Sequence, residues 1–182
     1  ISRSAWISDD LAIENAVIRE ILDTGYCVLP IFTYAMPDST LGTEGPERAM
    51  ERFCFLADGT PCVDAVIRMA GFFNHGASSA LMKRLGCPVV KPISSYSMTV
   101  EQWKENPDGT IGDVAWSIAL PELDGVIEPI FIGAQEHEGD AEHRVPVLSR
   151  VKKLVARVEK WVTLKKKENK DKRVVFMLNN NP

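Results

Sequence analysis

The chain has 182 residues, 45% of them apolar and 25% charged, which is ordinary for a globular protein and excludes a disordered or fibrous chain. No apolar run approaches the roughly 18 residues needed to cross a bilayer, so we predict no membrane span. The formal net charge is −4, with Lys and Arg concentrated over residues 150–173. Because aromatic residues do not interleave with these basic ones in the way that single-strand nucleic-acid binders need, we predict no nucleic-acid partner.

The first predicted helix covers residues 8–24, with Ser8 as its N-cap and Gly25 as its C-terminal stop. The apolar run over 26–33 follows. Its length and β-branched content predict a buried strand, which Pro30 ends or kinks because proline has no N–H to donate.

The middle of the chain alternates short helices with short apolar runs. The helices are predicted over 46–53, from Ser78 or Ser79 to about residue 85, from Thr99 through Trp103, and over 111–120. The strands are predicted over 63–70, 89–93 and 126–132.

The last third contains the strongest periodic signal. Residues 133–144 are polar and acidic, and we predict a loop there. From Val147 to Val162, apolar residues recur on one helical face, which predicts a long amphipathic helix. The apolar run over 173–178 predicts a final buried strand.

Alternation of strands and helices predicts an α/β fold with a mainly parallel sheet covered by helices on both faces, flavodoxin-like or periplasmic-binding-protein-like. We expect residues 1–182 to form a single α/β domain. The alternative for the last strand, 173–178, is that it begins the next subdomain of a longer chain. The chain does not begin with Met, and the first helix has no strand before it. We therefore expect a fragment of a much larger chain.

The four cysteines, Cys27, Cys54, Cys62 and Cys87, show neither a C-x-x-C pair nor zinc-finger spacing. We expect them to be reduced thiols that pack as small apolar side chains. Reduced thiols point to the cytoplasm.

Ligands of open parallel sheets bind in loops after the carboxyl ends of strands. Asn74 and His75 follow a predicted strand, and a histidine there suits a proton carrier, a metal contact or a contact to another bound ligand. The alternative is a loop histidine held by a backbone carbonyl. Asn179 and Asn180 follow the last predicted strand and are candidates by the same rule.

Glu122 and Asp124 are candidates for a pair of carboxylates that steers a metal ion or a proton. The structural alternative, which we favour, is that Asp124 and Gly125 build a turn. We predict no resident metal site, because the spacing of His137 and His143 among acidic residues matches no known metal site.

Sequence signatures of a self-sufficient enzyme are missing. The chain has no G-x-x-x-x-G-K-[ST] loop for ATP, no G-x-G-x-x-G dinucleotide fingerprint and no G-x-S-x-G nucleophile elbow. An independent enzyme on this chain is therefore not supported, and no catalytic residue is assigned.

Several segments occur in the order found in one known family. The most specific is A-L-P-E-L-D-G-V-I-E-P over 119–129. Others are R-S-A-W over 3–6, G-C-P-V over 86–89 and E-Q-W over 101–103. Together they resemble the large subunit of the cobaltochelatase and magnesium chelatase family.

The resemblance implies a cytoplasmic, tetrapyrrole-binding subunit of a ligase that forms nitrogen–metal bonds in cobalamin or porphyrin biosynthesis. AAA+ ATPase chelatase subunits would hydrolyse ATP, and a divalent metal, cobalt or magnesium, would be inserted. The chain alone would be inactive and would bind no cofactor itself. The family tends to have an N-Y-P-P-like run where this chain has N-N-N-P over 179–182. That departure leaves open the choice between cobalt with a corrinoid and magnesium with a porphyrin.

Two other hypotheses for the function remain. One is a non-catalytic α/β module that binds a small ligand. The other is a scaffold module that docks onto an ATPase partner through the basic residues around Lys165, Lys166 and Lys167.

Overall fold

The computed structural model describes residues 1–34, 37–69, 77–110, 114–138 and 141–177. Within these ranges the α-helices are α1 (Arg3–Ile7), α2 (Ala12–Asp23), α3 (Pro46–Phe53), α4 (Ala77–Leu85), α5 (Val100–Glu105), α6 (Leu120–Leu123) and α7 (Leu148–Lys166). A π-helical turn, Ala115–Ala119, runs directly into α6, and a 3₁₀ turn, Asn169–Asp171, follows α7. The strands are β1 (Val66–Ile67), β2 (Val89–Val90), β3 (Ile93–Ser94), β4 (Phe131–Glu138) and β5 (Ala141–Pro146).

The centre of the sheet is parallel. β1 pairs with β2, and β3 pairs with β4. A parallel bridge from Val90 to Ile127 joins these two pairs into one layer. Pro92 interrupts the strand that would otherwise join β2 to β3, because proline cannot donate to the ladder.

The edge of the sheet differs from the prediction. β4 and β5 form an antiparallel hairpin, which is the longest pairing in the described part of the chain. Most of it lies in the segment predicted as a loop over 133–144. The segment was missed because its side chains are largely polar and so give no apolar strand pattern. The mixed α/β class is thus confirmed, whereas a mainly parallel sheet is too simple a description.

Helices cover both faces of the sheet, as predicted. α2 and α7 pack on one face, around the buried residues Ile13, Val17, Val90, Ile130, Ile132, Val151 and Leu154. α3 and α4 pack with Val66 on the other face, and Trp103 of α5 stacks on Phe131 with 4.2 Å between ring centroids. The division follows from the two-residue period of a strand, which turns neighbours such as Val66 and Ile67 to opposite faces.

Three local predictions need correction. The helix predicted over 8–24 is broken: Ser8 ends α1 and α2 begins at Ala12, with Asp9 at φ +54° between them. The run 26–33 is not a buried strand. Only Thr33 bridges to Ser2, while Leu29 is 57% exposed.

The third correction is the last predicted strand. Residues 173–177 form no strand and are exposed, and residue 178 lies outside the described residues. No sheet neighbour pairs with this segment in the described part of the chain, and an unpaired strand has nothing to satisfy its backbone groups.

Burial of the cysteines also differs from the expectation. Cys54 is buried and Cys87 half-buried, but Cys27 and Cys62 are exposed, and none of the four lies in a strand. All four are free thiols. None of the helices in the described ranges is both long and apolar enough to pass through a bilayer.

Candidate functional site

Polar side chains gather where β3 ends at the carboxyl edge of the parallel strands. The hub is Arg144 on β5, opposite Gln135 of β4 in the hairpin register. Tyr96 follows β3, while Asp10 and Glu14 lie at the start of α2. We call Asp10, Glu14, Tyr96 and Arg144 the carboxyl-edge cluster.

The guanidinium of Arg144 is almost completely removed from solvent and is held by two carboxylates. Its Nε donates to Oδ2 of Asp10 at 2.6 Å, and its Nη2 donates to Oε1 and Oε2 of Glu14 at 3.1 and 3.0 Å. The backbone N–H of Arg144 donates to Oδ1 of Asp10 at 3.1 Å. These bonds fix the hairpin to the start of α2.

Electrostatics in the cluster favour the charged guanidinium. Burial acts to lower the pKa of Arg144, but the hydrogen bond to Asp10 and the nearby Tyr96, Glu14 and Asp10 outweigh it and raise that pKa. Glu14 is only 2% exposed and lies 3.0 Å from Nη2 of Arg144, so the two buried groups form an ion pair. Arg144 therefore remains a cation.

The outer side of the cluster is open. Tyr96 is 64% exposed, and its hydroxyl lies 3.5 Å from Nη1 of Arg144. Beneath it, the hydroxyl of the fully buried Ser95 accepts from the backbone N–H groups of Ser97 and Met98, both at 3.2 Å. The edge thus offers an exposed aromatic ring beside a buried cation.

Glu122 and Asp124 lie at the other end of the sheet. The Gly125 N–H donates to the Glu122 carbonyl at 2.9 Å, and Gly125 has φ +80°, which an L side chain rarely adopts. The turn leads to Ile127, which forms a parallel bridge with Val90 of β2, so both carboxylates precede a parallel pairing, whereas Tyr96 follows one. The structure does not bring them into the carboxyl-edge cluster.

The two carboxylates also differ in environment. Glu122 is exposed and Asp124 is 7% exposed. Oδ2 of Asp124 is buried without a hydrogen-bond partner among the described residues. Burial lowers the pKa of the nearby Arg68 to about 10. The charges of Glu47 and Asp124 oppose that lowering. Asn74, His75, Asn179 and Asn180 lie outside the described residues.

Sequence reasoning missed the buried charges. Glu14 stands among the apolar positions of α2, and Arg68 directly follows the apolar strand β1. A charged residue inside an apolar pattern is the signal that was available, because such a residue is rarely buried unless it is paired.

Glu128 was also missed. Its Oε1 accepts from Nε1 of Trp161 at 2.7 Å and from Nε of Arg157 at 3.0 Å, and the bond from Arg157 lowers the pKa of Glu128. This contact fixes the sheet to α7.

A resident metal centre is not formed by the part of the chain that the structure describes, where no three His, Cys, Asp or Glu side chains are arranged to hold an ion. His137 instead faces Glu142 across the hairpin at 3.6 Å.

Comparison with known proteins gives consistent matches. A family model described as CobN/Magnesium Chelatase matches residues 1–182. An uncharacterized protein of Methanocaldococcus jannaschii is 35% identical over 99% of this chain. The chloroplastic magnesium-chelatase subunit ChlH of Oryza sativa subsp. indica is 29% identical over 97% of the chain, and the aerobic cobaltochelatase subunit CobN of Sinorhizobium sp is 26% identical over 92%.

A solved structure shares the fold. The catalytic subunit of cobaltochelatase from Mycobacterium tuberculosis superimposes with a TM-score of 0.72 at 24% identity, covering 95% of this chain and 15% of that one. The chain spans 15% of the length of the Methanocaldococcus relative and 13% of the length of the plant and Sinorhizobium relatives.

Proposed function

Since the chain belongs to the CobN/magnesium chelatase family, we propose that it is a domain of the large, tetrapyrrole-binding subunit of an ATP-dependent metal chelatase. Such an enzyme inserts cobalt or magnesium into a corrinoid or a porphyrin. The observation that carries the proposal is the match of the family model over residues 1–182. The metal is a substrate of this reaction.

We assign tetrapyrrole contact to the carboxyl-edge cluster. A tetrapyrrole has a broad apolar face and carries acidic groups at its rim. The exposed ring of Tyr96 offers a face on which a flat macrocycle stacks. The Tyr96 hydroxyl, 3.5 Å from the buried Nη1 of Arg144, offers a hydrogen bond to a rim carboxylate. Asp10 and Glu14 hold the guanidinium in place.

The test is titration of the chain with a metal-free porphyrin and with a cobalt-free corrinoid, followed by quenching of tryptophan fluorescence. We expect saturable quenching by one of the two. Replacing Tyr96 with Ala removes the stacking face and should raise the Kd about 5- to 10-fold, since one aromatic stacking contact contributes about 1 kcal/mol.

Tyr26 is the matched control, because it follows α2 whereas the cluster lies at the start of that helix, about 18 Å away along the helix axis. Tyr26→Ala should leave the Kd unchanged. An equal loss of tetrapyrrole affinity in the two variants would show that the carboxyl-edge cluster is not the binding site. No quenching by either tetrapyrrole, with a response to a flavin or a sugar, would favour the small-ligand module instead.

The predicted contacts at Asn74, His75, Glu122, Asp124, Asn179 and Asn180 remain part of the proposal. The buried Oδ2 of Asp124, which has no hydrogen-bond partner among the described residues, supports a role for that residue, because buried acceptors are normally paired. We also propose AAA+ ATPase partners, a cytoplasmic location and a flavodoxin-like or periplasmic-binding-protein-like arrangement of the domain.

A further inference from the structure

β1 has an open side among the described residues. On one side, Val66 N–H donates to the Pro88 carbonyl at 3.0 Å and Arg68 N–H donates to the Val90 carbonyl at 2.8 Å. Backbone groups alternate along a strand, so those of Ala65, Ile67 and Met69 are directed to the opposite side. A cavity of about 680 Å³ lies there, between β1 and residues 25–31.

The cavity is enclosed in the way that a strand inside a sheet is enclosed, by helices on both faces. α2 and α7 contribute walls from one face of the sheet, through residues such as Val17 and Val158, and α3 contributes Met50 from the other face. Apolar residues predominate in the walls. The cavity therefore has β1 on one side, residues 25–31 on the other, and helices above and below. Its shape is that of a position for one more strand in the sheet.

The same chain contains an exposed segment of strand-forming residues. Val174, Val175, Phe176 and Met177 are 71%, 82%, 86% and 92% exposed. Four consecutive exposed apolar residues are costly in water, and β-branched and aromatic side chains favour a strand.

The connection between α7 and this segment has the required geometry. Val155, Val158 and Val162 of α7 line the cavity, and the helix ends beside the entry to β1, where Nζ of Lys166 lies 3.2 Å from Oδ1 of Asp64. Residues 167–172 then form a connector of ordinary length for an α/β unit. A strand that starts there runs parallel to β1 beneath α7.

We propose that residues 173–177 enter this cavity as a strand that pairs in parallel with the open side of β1. The pairing satisfies the outward backbone groups of β1, buries the exposed apolar run and fills the apolar cavity. The helix that precedes the segment, α7, then covers it.

Hydrogen exchange of the 182-residue chain tests the pairing. Alternate amides of residues 174–177, together with those of Ile67 and Met69, should exchange at least about 10-fold more slowly than in an unstructured chain. Phe176→Asp should abolish this protection in both segments, because a charge cannot be buried there unpaired. Phe176→Leu, the matched apolar variant, should retain it.

A second measurement does not depend on a destabilised variant. Cys62 lines the cavity near the entry to β1, and Cys27 lines it on the facing side. Val174→Cys, oxidised with diamide, should form an intramolecular disulfide with one of them, whereas Lys170→Cys in the connector should not. Unprotected amides at 174–177, protection that appears only as protein concentration rises, or equal crosslinking of the two variants would each overturn the proposal.

Discussion

Glu128 has a backbone conformation that few side chains adopt, with φ +58°. The reason is a mismatch between neighbouring strands. Lys91 N–H donates to the Ile127 carbonyl and Ile93 N–H donates to the Ile130 carbonyl, so two residues on one strand face three on the other. Glu128 is the extra residue of this β-bulge, and its carboxylate is bound by α7.

Replacing Glu128 with Gln should lower the free energy of unfolding by about 0.5–1 kcal/mol, because the amide oxygen lacks the negative charge that attracts Arg157 and solvent screens the half-exposed pair. The lowered pKa of Glu128 means that its stabilisation is present above the ordinary glutamate pKa and is lost as pH falls through the lowered value. Urea denaturation at neutral and acidic pH measures both effects. The exposed Glu122→Gln is the control and should change stability by less than about 0.5 kcal/mol. Equal effects in the two variants would contradict the role given to Glu128.

Individual elements show what local sequence determines. Thr99 and Gln102 form the reciprocal bonds of a capping box at the start of α5, as the predicted cap at Thr99 required. α7 spans Leu148–Lys166, where apolar periodicity predicted it. The β4–β5 hairpin and the bend at Glu128 were not predicted, because they depend on pairing with segments distant in sequence.

Thr99→Ala should destabilise the chain by about 1 kcal/mol through loss of the cap. The Thr24 hydroxyl at the end of α2 donates to the Ile21 carbonyl within its own turn, so Thr24→Ala should cost less. Comparison of the urea midpoints checks this order, and a larger loss at Thr24 would contradict it.

At the scale of the whole molecule, the sequence predicts the layers better than the site. The alternation of strands and helices along the chain was enough to predict helices on both faces of the sheet. The sequence motifs were enough to predict the family. The carboxyl-edge cluster was not predictable, because Asp10 and Arg144 are 134 positions apart and neither lies in a recognised motif.

Global stability should fall at alkaline pH. Burial raises the pKa of Cys54 from 9.0 to about 11, so the folded state holds this proton more tightly than the unfolded chain. The contribution is complete below about pH 9 and is lost as pH rises towards about 11. The urea midpoint should therefore decline over this range, and less steeply in Cys54→Ala than in the exposed-site control Cys62→Ala. An identical decline in the two variants would assign the alkaline loss to other groups.

Pro92 and the bulge at Glu128 interrupt neighbouring strands at the same level. The ladder of backbone hydrogen bonds is therefore interrupted along one line, with β1 and β2 on one side and the hairpin on the other. We expect bending to concentrate along this line, because the fewest backbone bonds resist it there. The hydrogen bonds from Arg157 and Trp161 of α7 to Glu128 would then limit this bending, because they hold the interrupted strand against the helix.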